Sequence, residues 1–132
     1  MNLSGLLTCL ESDAGFSAVR DLAQAGTGAI VEAPSALHPL LVAEIARSRQ
    51  SGSPVVVVTA TGREAEDVAA AIPGLVPAAR VAVFPSWETL PHERLSPSSD
   101  TVGRRVAVMH RLAHGDDADP VAPPIDVLVT SV

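Results

Sequence analysis

The chain has 132 residues, 47% of them hydrophobic and 18% charged, and fifteen carboxylates against nine basic residues leave a net charge of −6. That length and apolar content suit one domain with its own core and exclude a disordered tail. The acidic balance excludes a surface built over most of its area to grip nucleic-acid phosphates, leaving room only for a local basic patch.

Reading along the chain, the opening MNLSGLLTCL carries no positive charge before Arg20, so it is no secretory signal. Cys9 is the one cysteine, which rules out an internal disulfide, and no Cys/His spacing matches a zinc site. Phe16, Val19, Leu22 and Ala23 form the apolar stripe of a first helix. Gly26-Thr27-Gly28 reads as a turn, and Ala29-Ile30-Val31 as a first strand. Leu37, Leu40, Leu41 and Ile45 give the next helical stripe, and Val55–Val58 a second strand. Thr61-Gly62-Arg63-Glu64 fits a capping box that opens a helix with Ala65, Val68, Ala69 and Ile72 facing the core, and Pro73-Gly74 is expected to stop it.

Val81–Phe84 reads as a third strand. A helix follows near Asp100, with Val102, Val106, Met109 and Ala113 as its core stripe. Gly115–Pro124 is an acidic, proline-rich surface loop, and Ile125–Val132 is a fourth, buried strand. Near-continuous apolar strands between helical segments predict an α/β fold: one domain over 1–132, an open, mostly parallel sheet with helices on both faces. Because the sequence stops in what reads as a central strand, a longer parent chain is expected. No apolar run approaches the ~18 residues of a membrane span, so a soluble, reduced, cytoplasmic protein is expected.

Chemistry is sparse. A phosphate cradle of the G-x-x-x-x-G-K-S/T kind would sit between the first strand and its helix. There the chain has Val31-Glu32-Ala33-Pro34-Ser35-Ala36-Leu37-His38-Pro39-Leu40, with no glycine, two prolines and no lysine, a residue type absent throughout. Nucleotide hydrolysis and a bound cofactor are therefore not expected of this segment. His110 and His114 stand one helical turn apart, a spacing open to a metal pair, but no Glu lies between them and no third ligand is obvious, so a solvated helix face or a partner for the helix C-terminal dipole is the better reading. Neither Ser35 nor Ser86 has a placeable His/Asp companion, so no catalytic residue and no metal site is assigned.

The informative stretch is Phe84–Asp100, long for a loop within one domain and carrying the lone Trp87. Trp87, His92, Arg94, Arg104 and Arg105 are the candidate interaction surface. Arg104 and Arg111 are expected to point away from the core and Arg105 to lie on the flank. Two readings stay open: a solvated face paired with Asp100 or Glu93, or a contact to phosphates or an acidic partner.

PSWETLPHERLSPSSDTVGRR, followed by a helix and DVLVTSV, together with VVVVTATGREAEDVAAAI upstream, resembles the N-terminal region of bacterial transcription-repair coupling factors, particularly the actinobacterial members. The likeness runs from about Ala29 to Val132. It implies a RecA/P-loop-like fold similar to the first domain of UvrB, with a decayed ATP site. It also implies a parent protein that is an ATP-dependent DNA translocase acting on stalled RNA polymerase, with ATP and magnesium in a downstream motor and UvrA recruited through a neighbouring domain. No UvrA-contacting residue carries over to a position here. Two rival classes remain: a small flavodoxin-like or nucleotide-using enzyme with its site at the carboxyl ends of the strands, and a DNA-contacting module.

Overall fold

A computed structural model describes residues 2–48, 52–87 and 96–132. In chain order the elements are α1 (Ser4–Leu10), α2 (Ala14–Ala25), a 3-10 turn (Ser35–Leu37), α3 (His38–Ser48), β1 (Val55–Thr59), α4 (Gly62–Leu75), β2 (Val81–Phe84), α5 (Ser99–His114) and β3 (Val127–Ser131). The chain is thus α/β, with three parallel strands in an open sheet of order β1-β3-β2. The expected first strand does not form. Residues 27–34 form neither helix nor strand, and Ile30 is 97% exposed. Three β-branched or small residues suit a strand, but a strand needs a neighbour to take its backbone groups, and among the described residues no strand pairs with this segment.

β3 is central. Val127 pairs with Val55 on one side and Val81 on the other, and the ladders run to Ser131 opposite Thr59 and to Thr130 opposite Phe84. Its side chains alternate between two cores. Val127 and Val129 are fully buried beneath Ala65, Ala69 and Ile72 of α4. On the opposite face, Leu128 packs with Ala82, Ile125 and Val108 of α5. Burying each such valine contributes about 1.5–3 kcal/mol. A third cluster, Leu7, Ala43 and Leu75, fastens α1 and α3 to the end of α4.

The helix starts follow the sequence chemistry. Asp13 accepts from the Phe16 amide at 3.0 Å to cap α2, and Ser98 Oγ accepts from the Thr101 amide at 3.2 Å to cap α5. Gly26, at φ 65°, ends α2 in the left-handed conformation that glycine adopts most readily. The expected stop at Pro73-Gly74 is overridden, because α4 continues through Pro73 to Leu75. Pro73 forfeits one amide donor, yet Val76 N still reaches Ile72 O at 2.8 Å and Leu75 is buried against Leu7 and Ala43. Burial of Leu75 holds the last turn in place.

The largest correction concerns α5. Its inward residues are Thr101 and Val108, with Arg105 and Arg111 half-buried, whereas Val102, Val106, Met109 and Ala113 are exposed. The apolar stripe read from the sequence lies about a quarter turn away from the face that meets the sheet.

Candidate interaction surface

Arg105 of α5 reaches the carboxyl end of β2. Phe84 ends the strand, and its carbonyl accepts from Thr130 Oγ1 at 2.9 Å. Arg105, reaching back from α5, places its guanidinium carbon 3.9 Å from the Phe84 ring centroid and 4.2 Å from that of Trp87. It also donates to the Pro85 carbonyl. Both rings therefore present π faces to one cation, an attraction that adds to its hydrogen bond. Trp87 stays half-exposed, held by Arg105 at the surface.

The other expected members of the cluster do not gather there. Arg104 turns to α4, where Nη2 lies 2.8 Å from Glu66 Oε1; that hydrogen bond, above all, raises the pKa of its guanidinium. Of the two partners expected, Asp100 acts on Arg104 through its charge without an ion-pair contact, and Glu93 lies outside the described residues. Arg111 does not point away from the fold: it donates to the carbonyls of Pro123 at 2.9 Å and Pro124 at 3.4 Å, tying the loop before β3 to α5. His92 and Arg94 lie outside the described residues. Of the five candidates, the structure brings together Trp87 and Arg105, and separates Arg104 from them by its partner.

Pro85 and Glu66 were missed by sequence reasoning. Glu66 stands 38 positions from Arg104 on another helix, and no spacing signal links the two.

A second feature lies at the carboxyl end of β1. A cleft of about 810 Å³ opens between α3 and α4, lined by Ser35, His38, Leu41, Val58, Glu64 and Asp67 among others. Here α4 begins with the capping box expected from the sequence. The Glu64 amide donates to Thr61 Oγ1 at 3.2 Å, and one Glu64 carboxylate oxygen accepts from the amides of Ala60 at 3.1 Å and Thr61 at 3.3 Å. The partial positive charge of this helix end thus already faces a carboxylate of the same chain. At α3, Pro39 occupies the second helical position and offers no amide.

Elsewhere the charged groups are structural. Arg80 engages Asp126 through Nε at 2.9 Å and also contacts Asp117. Those hydrogen bonds, with Asp126 first, raise the pKa of Arg80. Buried Glu44 is met by Arg47 at 2.8 Å and Arg20 at 3.6 Å, joining α2 to α3. The His110 and His114 rings stand 5.2 Å apart on the exposed side of α5, and no group of three or more metal-ligating side chains is found among the described residues. No helix among the described residues is long and apolar enough to cross a membrane.

No protein-family profile matches the chain. Over 100 residues, 76% of this chain, it is 54% identical to the transcription-repair-coupling factor of Mycobacterium bovis, and equally so to that of Mycobacterium tuberculosis. The sequence belongs to the transcription-repair coupling factor family. The stretch matched is 8% of the length of those relatives, so this transcription-repair coupling factor segment corresponds to a small part of a much longer polypeptide.

Proposed function

We propose that this chain is a catalytically silent scaffold segment of a transcription-repair coupling factor. Its parent protein uses a separate, downstream ATP-driven motor to act on DNA and stalled RNA polymerase, and this segment holds the neighbouring domain that recruits UvrA. The observation that carries the silent assignment is Glu64. At the carboxyl end of β1, where an α/β fold of this kind receives ligands, the helix N-terminus is filled by the chain's own carboxylate. A second anion placed there would meet like charge from Glu64 and Asp67. The prolines and missing glycines of residues 31–40, and a chain without lysine, support the same reading.

Calorimetric titration of residues 1–132 with Mg-ATP tests it. The expected result is no saturable heat up to millimolar nucleotide; micromolar binding with turnover would overturn the assignment and favour an enzyme. The scaffold role is read in the full-length protein. Val129→Asp, which places a charge in the core beneath α4, should weaken UvrA capture, whereas Arg104→Ala should leave it unchanged. A DNA-contacting role has little support in the geometry, because Arg104 is paired and Arg105 is stacked and hydrogen-bonded. Salt-dependent DNA binding by residues 1–132 that falls on Arg104→Ala would reinstate it.

A further inference from the structure

The end of α5 carries two imidazoles on one face. His110 and His114 are both exposed, and their ring centroids stand 5.2 Å apart with the ring planes tilted by 53°. Residues at i and i+4 lie one above the other on a helix, an arrangement in which two histidines grip one metal ion. Their separation fits that task. An ion about 2.0–2.1 Å from one nitrogen of each ring lies about 3.2 Å from each ring centroid, and a tetrahedral angle at the ion then sets the centroids about 5.2 Å apart. The pair already stands at that bite. The turn beneath it is held from another side, because Arg111 donates to the carbonyls of Pro123 and Pro124. Gly115 packs so closely there that a Cβ on it would lie 2.9 Å from Pro124 Cα. A fixed backbone leaves only the ring torsions to be ordered on binding, which keeps the entropic cost small. Charge favours a cation as well. The helix ends here, with its partial negative charge, and Asp119 lines the groove that His110 borders. Arg111, the cation between the two histidines in sequence, is drawn off to the proline carbonyls.

We propose that His110 and His114 chelate one borderline divalent cation, zinc by the tetrahedral bite, and that this ion clamps the last turn of α5. Imidazole suits zinc, copper and nickel, whereas magnesium and calcium take oxygen ligands. No group of three or more metal-ligating side chains is found among the described residues, so the two rings are the protein's share of the coordination sphere. Water takes the other two tetrahedral positions, and the ion is exchangeable and held more weakly than in a closed four-ligand site. Its binding stabilises the folded chain by mass action. The site lies away from the cleft at β1, and it does not depend on the scaffold reading above.

Zinc titration of the untagged 132-residue chain, with Cys9→Ser to remove its one exposed thiol, tests this. Calorimetry should give one ion per chain with a dissociation constant below about 100 µM. At about tenfold excess over that constant the melting temperature should rise by a few degrees. In NMR spectra the ring signals of His110 and His114 should shift together while those of His38 stay in place. His110→Gln and His114→Gln should each weaken binding at least about tenfold and remove the thermal shift, whereas His38→Gln should do neither. Both side chains are exposed, so the two variants should melt like the parent chain without zinc. About a hundredfold excess of magnesium should not displace the ion. Absence of saturable zinc binding below about 1 mM would overturn the proposal. A loss confined to one of the two histidine variants would overturn it as well, since a chelate needs both rings. Displacement by magnesium would do the same, assigning the ion to the carboxylates of the loop after α5.

Discussion

The Glu64 and Thr61 side chains each accept from the other's amide across a single turn, which is why the start of α4 was legible from four consecutive residues. Thr61→Ala should cost about 1 kcal/mol in denaturant unfolding of residues 1–132, the usual loss for an N-cap. Arg105 works differently, because its partners come from another element. As Trp87 is the sole tryptophan, its fluorescence reports the contact directly. Arg105→Ala should make Trp87 more accessible to acrylamide, and Arg105→Lys should restore little, since an ammonium lacks the planar face that lies between two rings. The Arg80 cluster separates two carboxylates by burial. Asp126→Ala should destabilise by about 1.5–3 kcal/mol, whereas Asp117→Ala, whose side chain is 82% exposed, should cost less than about 1 kcal/mol. The raised pKa of Arg80 lies on the side where its contribution is complete below the unfolded value and is lost only as pH rises through the higher folded value. Arginine titration therefore leaves this contact intact across the neutral and mildly alkaline range.

Elements show where periodicity suffices and where it does not. In α4 the stripe Ala65, Val68, Ala69 and Ile72 is the stripe that meets the sheet, because one continuous apolar face was available. α5 carries two faces that could serve. One is apolar, Val102, Val106 and Met109; the other mixes Thr101, Arg105, Val108 and Arg111. The second meets the sheet, since Arg105 reaches Phe84, Trp87 and Pro85 while Arg111 reaches the carbonyls of the loop before β3. In residues 1–132, Val108→Ala should cost about 1–3 kcal/mol and Val106→Ala less than about 0.5 kcal/mol, read by thermal or denaturant unfolding. Equal losses at the two positions would contradict the observed rotation of the helix.

At the scale of the molecule, three parallel strands and helices on both faces follow the expected class, but among the described residues the sheet has one strand fewer than its apolar runs suggested. Among the described residues, Ala29–Val31 has the composition of a strand and no neighbour to pair with, while Val55–Thr59 has the composition of a central strand and stands at an edge. Both departures share one physical cause: pairing is non-local, and a run of valines does not encode which strand lies beside it. Of the candidate surface, Trp87 and Arg105 were recognisable as residue types, but their partnership depends on a helix rotation that no local pattern specifies. By itself the sequence determined what a few consecutive residues settle among themselves: helix caps, the apolar face of α4, the lack of a lysine-bearing phosphate loop and the family likeness. Tertiary structure alone decided the strand order, the face of α5 that is buried and the partners of each arginine, because those contacts join residues tens of positions apart and their energies exist only once the chain has brought them together.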